Sequence, residues 1–96
     1  MEQDEKTKEF YERLKKQLAE DTTWPSPYLF KFIVPAELEK IAEIQSIFDG
    51  LNAEINTRDS AKGNYTSVSI MVVMDSPEQI VKKYIEVSSV EGVISL

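Results

Sequence analysis

Ten consecutive residues, Tyr65 to Met74, alternate between two faces with a period of two. Val68, Ile70, Val72 and Met74 fall on one side, and Tyr65, Ser67 and Ser69 on the other. A helix repeats every 3.6 residues and would scatter that apolar set around its circumference, so the pattern belongs to a strand with one buried face. Such a strand needs neighbours along its edges and a layer over its apolar side. One neighbour lies immediately upstream: Leu51 to Asp59 alternates Ala53 and Ile55 against Asn52, Glu54, Asn56 and Arg58. Ser60-Ala61-Lys62-Gly63-Asn64 joins the two, a common hairpin length with Gly63 suited to a positive φ. Phosphate-binding loops place their glycine turn before a helix, whose N-terminus holds the anion. A strand follows here, so the stretch reads as a turn.

The flanking segments supply the covering layer. Residues 3–20 have the period of an amphipathic helix, with Phe10, Leu14 and Leu18 every fourth residue and Tyr11 beside them. Glu9 with Arg13 and Glu12 with Lys16 are favourably oriented i,i+4 pairs. Asp21-Thr22-Thr23 ends this helix, and Trp24-Pro25-Ser26-Pro27 is a stiff extended connection. Tyr28 to Val34 is aromatic and β-branched, a strand that Pro35 stops while opening the next helix. Leu38, Ile41, Ile44, Ile47 and Phe48 form that helix's stripe, and Asp49-Gly50 ends it. Ser76 caps a last helix with Pro77 at its first position and Gln79 at capping-box spacing. Ile80, Val81, Tyr84, Ile85 and Val87 are its inward positions, and Val90 to Leu96 is a short fourth strand. The order after the first helix is β-α-β-β-α-β, an α+β ferredoxin-like sandwich carrying an extra N-terminal amphipathic helix. The chain divides into a helical extension over 1–23 and the sandwich over 24–96.

Composition excludes several chemistries. The 96 residues include no cysteine and no histidine, so imidazole or thiolate zinc sites and histidine-based triads cannot form. A net charge of −6 opposes nucleic-acid binding, which begins with a basic face. Tyr65 with Phe30 or Phe32 lacks the second same-face aromatic of an RNA-stacking platform. Lys62 beside Ser60 sits in an exposed turn, where a lysine stays protonated and is no base. Glu37, Glu39 and Glu43 read as a solvated helix face rather than metal ligands. No catalytic residue, cofactor or metal ligand is therefore expected, and the reading is not an enzyme. No apolar run approaches the ~20 residues that span a bilayer, and the acidic MEQDEKTKEF start is unlike a secretory signal. The expected location is cytoplasmic.

The informative surface is apolar. With Phe30, Phe32, Val68, Ile70 and Val72 facing the helices, Leu29, Ile33, Met71 and Val73 point to the open side of the sheet. They are expected to cluster there, covered by Phe10, Leu14 and Leu18 of the first helix or by another subunit, the contact between subunits being preferred. Together these seven residues form the candidate interaction surface. Lys31, Glu54, Arg58 and Lys62 are weaker ligand candidates; on a solvated sheet face they would make ion pairs of little energy.

Across residues 24–96 the chain resembles the YbeD-like family of uncharacterised bacterial proteins (domain of unknown function 493). The likeness is carried by Trp24-Pro25, Phe30-Lys31, Ser60-Ala61-Lys62-Gly63-Asn64-Tyr65-Thr66-Ser67-Val68, Asp75-Ser76-Pro77-Glu78-Gln79-Ile80 and Tyr84. The resemblance implies a ferredoxin-like fold similar to ACT regulatory domains, a bacterial cytoplasmic setting and a link to lipoate metabolism. It brings no catalytic residues. ACT-type effector sites use a glycine-containing turn after the first strand, where this chain has Val34-Pro35-Ala36. The leading expectation is a regulatory or adaptor domain acting through protein contacts as a homo-oligomer. The alternative is a small-ligand sensor with a pocket between subunits.

Overall fold

The computed structural model describes residues 5–96. Its elements, in chain order, are α1 (Glu5–Asp21), β1 (Ser26–Pro35), α2 (Leu38–Ile47), β2 (Glu54–Asp59), β3 (Tyr65–Met74), α3 (Pro77–Val87) and β4 (Ile94–Ser95). The strands form one antiparallel sheet in the order β2-β3-β1-β4. This is the α+β ferredoxin-like arrangement with an extra N-terminal helix. Residues 3 and 4 of the expected first helix lie outside the described residues.

The alternation in β3 settles the rest of the sheet. Ser26 to Pro35 pairs with Met74 to Tyr65 without a break, so the inward set of β3 meets the inward set of β1. Phe30, Phe32 and Val34 of β1 and Val68, Ile70, Val72 and Met74 of β3 are all buried. Ile44 and Phe48 from the second helical segment and Ile80 and Val87 of α3 close over them. Phe30 is the hub, its ring 4.8–6.0 Å from those of Tyr28, Phe48, Tyr84 and Phe32. Each large apolar side chain buried this way stabilises the fold by about 1.5–3 kcal/mol.

Local chemistry explains the boundaries. Ser76 Oγ accepts from the Gln79 N–H at 3.2 Å, as an N-cap should. The Gln79 side chain accepts instead from Asp75 N–H, at 2.6 Å, one residue before the cap. Pro35 is the last residue of β1, opposite Tyr65, and not the first turn of a helix. The helix α2 starts three residues later, with Glu37 as an extended N-cap whose side chain makes no capping bond. Leu38 therefore stands on the outer side of the first turn, 85 % exposed, rather than in the apolar stripe. Ile85 is likewise partly exposed on α3. Two left-handed residues, Gly50 (φ +80°) and Asn52 (φ +57°), turn the chain before β2 and shorten it to six residues. Gly92 (φ +82°) does the same before β4, leaving two paired residues and a further bond from Leu96 N–H to Lys31 C=O at 3.0 Å.

The extra helix does not lie over the open face of its own sheet. It packs against α3 on the helical side of the sheet, with Leu18 against the core. The Trp24 indole N–H donates to Leu18 C=O at 3.2 Å and fixes the end of α1 to the start of the sandwich; the Trp24–Pro25 peptide is cis. Neither i,i+4 ion pair forms on α1, and Glu12 pairs with Lys15 at 3.1 Å, one turn position closer. No described helix is long and apolar enough to cross a membrane.

Candidate functional site: the open face of the sheet

With all three helices on one side, the other face of the sheet is uncovered. Strand register arranges it in rows. Pro27 lies beside Val73; Leu29 beside Met71 and then Glu54; Lys31 beside Ser69 and then Asn56. The last full row runs Ile94, Ile33, Ser67, Arg58, with Tyr65 and Pro35 beyond it. The face thus collects seven expected residues: Leu29, Ile33, Met71, Val73, Lys31, Glu54 and Arg58. The four apolar ones do not form a single cluster. Leu29, Met71 and Val73 make one patch, each at least 43 % exposed. Ile33 stands apart, because the Lys31-Ser69-Asn56 row lies between. Phe10, Leu14 and Leu18 belong to the opposite side of the sheet and do not cover this face.

At the Ile33 end the face dips into a hollow of about 590 Å3 lined by Ile33, Arg58, Asp59, Ser60, Ala61, Tyr65 and Ser67. Ile94, Tyr65 and Ser67 of this face are not among the candidate site residues expected from the sequence. Outward alternation marks Tyr65 and Ser67, but the face of Ile94 follows only from its pairing with Ile33. The ion pairs among the described residues join Glu12 to Lys15, Glu37 to Lys40 and Lys83 to Glu86. Lys31, Glu54 and Arg58 join none of them, so the ion pairs expected on this face are absent. Glu37, Glu39 and Glu43 form no cation site: no group of three His, Cys, Asp or Glu among the described residues could hold a metal.

The hairpin beside the hollow is a folded turn. Ser60 C=O accepts from Gly63 N–H at 2.9 Å, Ser60 N–H donates to Tyr65 C=O at 2.8 Å, and Ser60 Oγ accepts from Tyr65 N–H at 3.2 Å. Asn64 C=O accepts from Ala36 N–H at 3.0 Å and ties the turn to the β1–α2 connection. The buried Thr66 hydroxyl donates to Asp59 Oδ1 at 3.0 Å. Gly63 has φ +73° with open space around it, so Gly63→Val should cost about 1–2 kcal/mol from backbone strain alone. Lys62 is exposed and lies outside the hollow's lining, so Lys62→Ala should stay within about 0.5 kcal/mol. Urea melts of the two variants check the ranking, and the reverse order would show that Lys62 holds a contact.

On the helical side, Tyr28 and Tyr84 share a hydrogen bond of 2.8 Å between their hydroxyls. Burial pushes Tyr84 far above the ordinary phenol range, and the Tyr28 hydrogen bond and the nearby Tyr28 and Tyr11 hydroxyls push the same way. Burial raises Tyr11 as well.

Residues 19–96 match the model of a protein of unknown function, DUF493. The chain belongs to the DUF493 family. A UPF0250 protein of Shewanella piezotolerans (strain WP3 / JCM 13877) is 35 % identical over 74 residues, covering 73 % of this chain and 83 % of that relative. No solved structure matches the chain. The DUF493 match takes in every strand, α2 and α3, and the last three residues of α1. The open face is therefore made wholly from the family's shared region, whereas most of α1 precedes it.

Proposed function

We propose that this DUF493 domain is a non-enzymatic, ACT-like regulatory or adaptor module of the bacterial cytoplasm that acts through protein contacts on its open sheet face. The occupant of that face is a second copy of the chain. The observation that carries this reading is the position of α1: because it sits against α3, Leu29, Met71 and Val73 stay uncovered beside one another. Apolar patches of this kind on a sheet mark a contact surface. The face also carries both signs of charge, with Glu54 at one end of β2 and Arg58 toward the other, which suits pairing with an identical surface.

The expected result is a light-scattering mass near twice the 11.0 kDa of one chain, reduced to one chain by Met71→Glu with the fold retained by circular dichroism. Burying an unpaired carboxylate in such a contact is costly. A wild-type protein that stays monomeric at high concentration, or a Met71→Glu variant that still pairs, would defeat the reading.

A second reading, a small-ligand sensor linked to lipoate metabolism with its pocket between subunits, draws on the hollow at Ile33, Arg58 and Tyr65. Arg58 makes no ion pair among the described residues and is available to a carboxylate. Against it stands the glycine-free stretch Val34-Pro35-Ala36 at the end of β1.

A further inference from the structure

The helical side of the domain holds a second, more enclosed space beneath α1. It has a volume of about 310 Å3 and is walled by Phe10, Tyr11 and Leu14 of α1, Tyr28 of β1, Tyr84 of α3, Ser95 of β4 and Leu96 after it. The space is partly open to solvent beside the exposed side chains of Phe10 and Leu96. Its volume is about twice that of the ~150 Å3 apolar cavity that admits benzene.

Three independent features point to an occupant. First, the apolar stripe of α1 is unfinished: no residue of the helix is buried, and Phe10 is 54 % exposed. The helix leans on α3 and roofs the space without closing down into it. Second, the hydroxyls of Tyr28 and Tyr84 hold two hydrogens between them, and their mutual bond at 2.8 Å uses one. Neither hydroxyl has another protein partner among the described residues, so one donor is left at the pocket wall. A donor in an apolar surround is costly unless something accepts from it. Third, among the described residues no charged side chain lines the space, and four of the residues around it are aromatic. Such walls favour ring edges and faces over an ion that would lose its hydration without gaining a counter-charge.

We infer that this pocket binds a neutral aromatic or planar small molecule carrying one hydroxyl or carbonyl group. The ring packs among Phe10, Tyr11 and Leu14, and the polar group bonds to the Tyr28–Tyr84 pair. Phe10, Tyr11 and Leu14 precede the family-matched residues 19–96, so the roof of the site comes from outside the shared region. The site is separate from the open sheet face and stands whether or not that face pairs with a second copy.

The test uses the full chain with p-cresol and toluene, which differ by one hydroxyl, followed by amide chemical shifts and calorimetry. Saturable p-cresol binding with Kd below about 1 mM is expected, a fair affinity for a ligand of eight heavy atoms. Toluene should bind about three- to tenfold more weakly, the share of one hydrogen bond. Replacing both tyrosines, Tyr28→Phe with Tyr84→Phe, should bring p-cresol down to the toluene value while leaving toluene unchanged, whereas either replacement alone leaves one free hydroxyl hydrogen and should keep the preference for p-cresol. Leu14→Trp should fill the space and abolish both. Shifts should fall on α1, Tyr28, Tyr84 and Leu96. Absence of saturable binding up to about 5 mM p-cresol, or binding indifferent to Leu14→Trp, would overturn the site. Tetramethylammonium or hexanoate binding in place of p-cresol would overturn the ligand class.

Discussion

Phe30→Ala should cost about 3–5 kcal/mol, the range for emptying a fully buried aromatic position. Phe30 is 0 % exposed and its ring meets those of Tyr28, Phe48 and Tyr84 at 4.8, 5.0 and 5.1 Å. These neighbours come from the sheet, from the end of α2 and from α3, so no single one can move in to fill the gap. Ordinary domains are stable by only about 5–15 kcal/mol; the variant should show a much lower urea midpoint, and a substantial unfolded fraction if the wild type lies at the low end. Phe10→Ala is the matched control. Its ring is more than half exposed, so the loss should be under about 1 kcal/mol on burial alone. Equal costs for the two would mean that the core does not centre on β1.

Gly92→Ala should cost about 2–5 kcal/mol through two separate causes. Its φ of +82° is strained for any residue with a Cβ, by about 1–2 kcal/mol. The added Cβ would also sit 2.9 Å from Pro35 Cγ and 3.0 Å from Cδ. Those atoms belong to a rigid ring at the end of β1, held opposite Tyr65 in the sheet, so the contact is relieved only by moving backbone, at about 1–3 kcal/mol. Gly50 separates the two causes: it has φ +80° and nothing within 4 Å. Gly50→Ala should therefore show the strain without the clash, about 1–2 kcal/mol. If thermal melts place the two substitutions level, the turn before β4 yields more readily than its packing against Pro35 indicates.

The order of elements was legible because each carries its period and punctuation in a short window. Alternation fixed β3 to the residue, Tyr65 to Met74, and Ser76-Pro77 fixed the start of α3. The inward set Phe30, Phe32, Val68, Ile70 and Val72 follows from the same period of two, and so does the outward set Leu29, Ile33, Met71 and Val73. Composition set limits of its own: without histidine or cysteine, whole classes of metal and triad chemistry are closed to the chain.

Other features depended on contacts between elements. Leu38 satisfies a helical stripe on paper, yet as the first residue of α2 it stands exposed. Ile33 shares a face with Leu29, yet only the register with β3 shows Lys31 and Ser69 between them. Most of all, the stripe Phe10, Leu14, Leu18 declares that α1 must dock without saying on what. Periodicity records which residues of one element turn away from water, and it holds no record of the neighbour they turn toward. That choice was made by the helical layer, where α2 and α3 leave the Tyr28 and Leu96 side partly open and α1 lies over it against α3. Its consequence is the bare sheet face on one side of the molecule and the tyrosine-lined pocket on the other.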